Sequence, residues 1–335
     1  MCTLEFLMYQ QANQANTCIP LQNCDIKKFY KIMVDLTKMI EFRKFDTNFI
    51  NTSFLPNEIM LYCSENYKYD CIIRINNKTI LSIATKQKRI PSISKEMVNI
   101  ILLMTNEFRH DKKLFIRYLP TPFKKVWNGI DRLSYKHVNS GLSSFNENKN
   151  DILIFREEES KKVLIHELIH ALELHCVKYG TIINKNYLEH LDECIVETWA
   201  TILNLAHIQF KKIPSIKDLD NLFNSRLFAQ ERNFCLKQAA KILKQHGCRK
   251  NGTDCIIKIP NSPSIFSYYI VKAALLSNPN KFIRQFWWPK IKKCKNIQYS
   301  SVKEYFNEPL YLENITKYSS HKFMPSMRMT KYGDF

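Results

Sequence analysis

No run of about 18 consecutive apolar residues occurs in the 335-residue chain, so no membrane-spanning helix is expected. The opening residues, Met1-Cys2-Thr3-Leu4-Glu5-Phe6, lack a basic stretch followed by an apolar one. That predicts no signal peptide and a cytoplasmic, intracellular setting. The eleven cysteines are odd in number and never spaced as CxxC. This argues against a disulfide framework or a structural zinc ribbon and for reduced thiols. Cys176 and Cys194 sit in apolar helical context and read as packing residues. Internal repeats and low-complexity linkers are also missing. Acid is in short supply, with 31 Asp plus Glu against 50 Lys plus Arg and a net charge of +19. Such an excess bears on solubility and on association with polyanions, not on fold. It suits an enzyme that steers acidic peptide or protein substrates, a virion-associated protein, or a protein that binds nucleic acid without sequence preference.

Against these absences stands one dense motif. Residues 166–170 read His166-Glu167-Leu168-Ile169-His170, an HExxH inside the apolar run Lys162–Leu172. Two imidazoles at i and i+4 share one helix face, so both reach a single metal ion. A catalytic Zn²⁺ needs one more protein ligand and a water, and Glu167 is placed to take a proton from that water. Random placement of this chain's His and Glu gives about 0.01 expected matches. Ser160 is the expected helix cap, and no Gly or Pro follows until Gly180. The plain alternative is an amphipathic helix with two half-buried His, which is costly without a use for them.

The third ligand decides the subclass. In an HExxHxxGxxH pattern the Gly and third His positions would be residues 173 and 176, but these are Glu173 and Cys176. His175 is one residue off, about 140° round the helix from His170. A carboxylate from a second helix remains. Glu189, Glu193 and Glu197 recur every four residues among Leu188, Leu191, Ile195, Val196 and Trp199, which leave little of that helix facing water. Stacked like charges repel unless a cation sits against them.

HExxH followed by Glu-x-x-x-Glu on a second helix resembles the gluzincin branch of the zinc metallopeptidases. The resemblance covers about 40 residues, from Ser160 to Ala200, and rests on short motifs. It implies Glu193 as the third zinc ligand and Glu197 as the group that hydrogen-bonds a liganding imidazole, fixing its tautomer. Ligation by Glu189 or Glu197 in another register stays open. An attacked carbonyl develops negative charge that a Tyr hydroxyl can stabilise, and Tyr187, Tyr268 and Tyr269 are candidates.

The expected fold is α+β. A zincin-like core, with a small mixed sheet over the HExxH helix and a second ligand helix, occupies 110–215. A mixed α/β region precedes it at 1–109, and a mainly helical region follows at 216–335. Residues 26–44 show helical spacing, 71–83 read as two strands around Asn76-Asn77, and 94–108 as a helix capped by Ser94. Strands are expected at 114–118, 136–143 and 152–155. His137-Val138-Asn139-Ser140-Gly141 is either a sheet edge that pairs with an extended substrate or a plain turn. Helices are expected at 216–226, 228–246 (closed by Gly247) and 263–277. Lys290-Ile291-Lys292-Lys293-Cys294-Lys295 beside Phe286, Trp287 and Trp288 either stacks on single-stranded nucleic acid or drapes lysines over a Trp pair. Three functions follow: a zinc metallopeptidase, a catalytically silent zincin-fold structural or partner-binding protein, and a basic nucleic-acid-binding protein.

Overall fold

A computed structural model describes residues 40–46, 55–108, 111–131, 133–174, 191–248, 265–286, 302–322 and 324–334. Contacts divide the chain after Ile40, and the described residues from Glu41 onward belong to one compact unit. Tyr187, Glu189, His175, Cys176, Trp287, Trp288 and the 290–295 run lie outside the described residues.

Six strands form one mixed sheet in the order β1-β2-β3-β4-β6-β5. They are β1 (Ile40–Lys44), β2 (Tyr69–Arg74), β3 (Thr79–Thr85), β4 (Lys113–Tyr118), β5 (Gly141–Phe145) and β6 (Lys149–Ile154). The sheet thus draws strands from both sides of residue 110. β2 and β3 are the expected antiparallel hairpin, and Asn76 Oδ1 closes its turn by accepting from the N–H groups of Lys78 and Thr79. β3 pairs parallel with β4, and β4 with β6. Every residue of β3 except Ile80 is buried, as in a strand covered on both faces. A parallel pair needs a crossover, and α2 (Ser94–Glu107) supplies the one between β3 and β4. α1 (Asn57–Asn66) precedes β2 and buries Ile59 and Cys63. Across the sheet, Arg117 on β4 pairs with Asp70 on β2 at 2.9 Å, and Ser82 on β3 donates to Asp70 Oδ1.

Several local expectations are corrected. Residues 40–44 are strand, not the end of a helix: half-buried Ile40 and Phe42 alternate with exposed Glu41 and Arg43, a period of two. Residues 136–138 are not strand either. They belong to α3 (Tyr135–Val138), one turn held by His137 Nδ1, which accepts the Ser134 N–H. The edge strand starts only at Gly141. Ser94 is the first residue inside α2, with Ile93 at the capping position.

The second half is helical. α4 (Ser160–Ala171) and α5 (Leu191–Phe210) carry the motifs, followed by α6 (Ile216–Phe223) and α7 (Arg226–Gln245). α7 begins at a Ser225 cap and ends before Gly247, whose φ of 58° only glycine adopts freely. The segment expected as one helix to 277 is a π-helix (Phe266–Val271) running into α8 (Lys272–Ser277). α9 (Pro279–Phe286), a 3₁₀ turn (Glu304–Asn307) and α10 (Pro309–Tyr318) follow. Among the described residues no helix is long and apolar enough to cross a membrane. Cys63, Cys71, Cys194 and Cys235 are buried free thiols, but Cys248 is disulfide-bonded, so the expectation of reduced thiols throughout does not hold. Cysteine spacing alone does not show which sulfurs meet.

Candidate metal centre

All twelve residues of α4 are buried. The helix has no polar face because β5 and β6 cover one side while α2 and α5 pack on others. Its ends are satisfied by distant chain. Glu159, in the left-handed region at φ 62°, precedes it. The first-turn N–H groups of Lys161 and Lys162 donate to the Gly333 carbonyl at 3.0 and 3.3 Å. Ser160 is therefore not the expected cap: it is the first helical residue, and its Oγ donates to the Glu157 carbonyl. At the other end Asn150 Nδ2 of β6 donates to the Ala171 carbonyl at 2.7 Å.

His166 and His170 lie one turn apart on α4 and face Glu193 on the first turn of α5. His166 Nε2 is 3.2 Å from His170 Nε2 and 3.4 Å from Glu193 Oε2, while His170 Nε2 is 3.4 Å from Glu193 Oε1. One ligand atom from each lies within 4.8 Å of the others, close enough to hold a metal ion. Ligand atoms at about 2.0–2.1 Å from a tetrahedral ion stand about 3.3 Å apart. One turn further along α5, Glu197 is fully buried and its Oε2 accepts from His166 Nδ1 at 2.9 Å. That bond keeps a proton on Nδ1, so Nε2, which faces the cluster, is the nitrogen that would give up its proton to bind an ion. The donor set, two imidazoles and a carboxylate, suits a divalent cation.

The electrostatics agree with that fit. Burial alone would lower the His166 imidazole, but hydrogen bonds to Glu193 and Glu197 outweigh it and lift the group to about 9. Burial would raise the Glu193 and Glu197 carboxyls. The two imidazoles hold Glu193 well below the usual range, and Lys162, Lys272 and His166 do the same for Glu197. A pocket that draws protons so strongly onto an imidazole is one a metal cation would also favour.

The expected tyrosines part company. Tyr268 OH donates to Glu193 Oε2 at 3.2 Å, whereas Tyr269 OH turns away to the Met327 carbonyl at 2.5 Å. Burial, then Glu193, Glu167 and Glu197, keep the Tyr268 phenol well above its ordinary value and so protonated. Glu167 is buried on the β5 side of α4. A Cβ built on Gly141 would stand 3.0 Å from Glu167 Oε1 and 2.7 Å from Val163 Cγ1, so the edge strand comes directly against the carboxylate. Sequence reasoning missed Lys162 and Lys272. Lys162 Nζ lies 2.6 Å from both oxygens of Glu197, and Lys272 Nζ lies 3.1 Å from Oε1. The available signal was that Lys162 stands one turn before His166 on the histidine stripe.

No protein-family model, curated protein or solved structure matches the chain.

Proposed function

We propose that this protein is a zinc-dependent metallopeptidase of the gluzincin type. The observation that carries the reading is the convergence of His166, His170 and Glu193 on one point, with the Glu167 charge close enough to act on both His166 and Tyr268. His166 Nε2, His170 Nε2 and the Glu193 carboxylate would hold the ion. When bound, Zn²⁺ lowers the pKa of a coordinated water and polarises the carbonyl to be attacked.

The remaining work falls to the chain's own groups. Glu167 takes the proton of the attacking water on a carboxylate oxygen and passes it to the leaving amine. Glu197 holds the proton on His166 Nδ1. Tyr268, with its hydroxyl at Glu193 Oε2, is near enough to donate to the oxygen on which negative charge develops. Among the described residues β5 is paired on one side only, with β6, and Gly141 lets its backbone lie against Glu167. An extended peptide or protein segment pairing with the other side of β5 would bring its backbone past that carboxylate. The mixed sheet packed over α4, with α5 bringing the acid, supports the reading of a zincin-like core.

Glu167→Gln tests the reading. Peptide-library hydrolysis should fall by about 10²–10⁴-fold while zinc content stays at the wild-type level, because an amide cannot accept the proton. Wild-type turnover in this variant, or turnover insensitive to chelation of the metal, would overturn it.

A further inference from the structure

We infer that Lys162 and Lys272 are positioning residues for the metal centre, acting through Glu197 to fix how His166 presents Nε2, an inference that rests on the zinc reading above. Glu197 is 1% exposed and receives three charged or ionisable partners from two elements, α4 and α8. Lys162 of α4 straddles both carboxylate oxygens at 2.6 Å, and Lys272 at the start of α8 reaches Oε1 at 3.1 Å. His166 Nδ1 takes Oε2 at 2.9 Å. One ammonium would be enough to pair a buried carboxylate. Burying a second, here with both lysine side chains no more than 2% exposed, carries its own desolvation penalty.

Geometry indicates what the second cation does. Each lysine is tied a second time, to the same residue. Lys272 Nζ donates to the Met329 carbonyl, and Lys162 Nζ lies 3.7 Å from Met329 Sδ. The carboxylate is therefore held from opposite elements that are themselves anchored, and a long, rotatable glutamate side chain is confined to one orientation. His166 Nε2 lies across the ring from the Nδ1 that Glu197 grips. Any tilt of the carboxylate swings that atom away from His170 and Glu193. Lys162 and His166 stand one turn apart on the same fully buried helix, so the ligand and the clamp on its partner keep a fixed spacing.

A double-mutant cycle on the full-length chain tests this. Zn²⁺ affinity is measured by competition with a chromophoric chelator for wild type, Lys162→Met, Glu197→Gln and the double variant. Circular dichroism reports the fold of each. Lys162→Met should weaken Zn²⁺ binding about 10- to 100-fold, the range for groups that orient metal ligands. In the Glu197→Gln background the same change should add less than about 3-fold, since its route to the metal is already cut. Equal losses in both backgrounds, or no loss in either, would overturn the role. A wild type that binds no Zn²⁺ would instead overturn the zinc reading, a separable result. Should Lys162→Met not fold, Lys272→Met is carried through the same cycle, with the same non-additivity expected and additivity overturning the role.

Discussion

At His207, on α5, burial and the neighbouring Lys211 and Lys161 pull the imidazole down to about 4, against the opposite pull of Glu96, whose Oε1 is 3.7 Å away. In the unfolded chain the same ring titrates near its ordinary 6.5. Between those values the unfolded state holds a proton that the folded state refuses. The stability His207 supports is thus complete above pH 6.5 and drains away as pH falls towards 4. Wild type should lose about 2 kcal/mol more than His207→Gln between pH 7 and pH 5, read from urea unfolding midpoints. At this scale the candidate site was largely legible. His166, Glu167, His170, Glu193 and Glu197 declare themselves because four-residue spacing on a helix puts side chains on one face. Lys272 did not, because its partner is 75 positions away. Nor could adjacent Tyr268 and Tyr269 be told apart: a π-helix leaves the apolar pattern unchanged yet sends one hydroxyl to Glu193 and the other to Met327.

The elements were read well where a pattern was long and less well where it was short. The β2–β3 hairpin, α2, β4 and α7 stand close to where alternation or helical spacing places them. β1 failed because five residues at the end of an apparent helical stripe also satisfy a strand's alternation. Residues 135–138 failed because a local side-chain bond, Ser134 N–H to His137 Nδ1, wound a turn out of a strand-like stretch. The contact between β5 and α4 is the one through which an element bears most directly on the site. Gly141→Ala would drive a methyl against Val163 Cγ1 and Glu167 Oε1 and to 3.2 Å from the Leu153 carbonyl. Relief requires β5 and α4 to separate. We expect roughly 1–3 kcal/mol of destabilisation by thermal or urea unfolding, accompanied by a fall in peptide turnover as Glu167 moves. An unchanged midpoint would mean that the strand already has room to shift.

On the scale of the whole molecule, residues 324–334 tie the helices together. Glu159 accepts from the backbone N–H groups of Met329 and Thr330 and from Lys125 Nζ at 2.7 Å. Asn204 of α5 donates to the Tyr332 carbonyl, and Glu231 of α7 accepts from the Lys331 N–H. None of this was legible, since no local pattern announces that a short polar-looking segment will be threaded among buried charges. Glu159→Ala strands the Lys125 ammonium, whose side chain is 1% exposed, and unties the segment. A loss of about 3–5 kcal/mol in urea unfolding is expected. A loss under about 1 kcal/mol would show that the tie is ornamental to the fold.

The Gly333 carbonyl that finishes the first turn of α4, and the Asp334 carboxylate that receives the Glu159 N–H 175 positions away, are synthesised after both motifs. A nascent chain that has already emerged past both motifs still lacks the groups that complete the histidine helix and anchor Lys272. Ribosome-bound intermediates would therefore carry His166, His170 and Glu193 before the groups that complete α4, so the cluster assembles only after the chain has been made well past it.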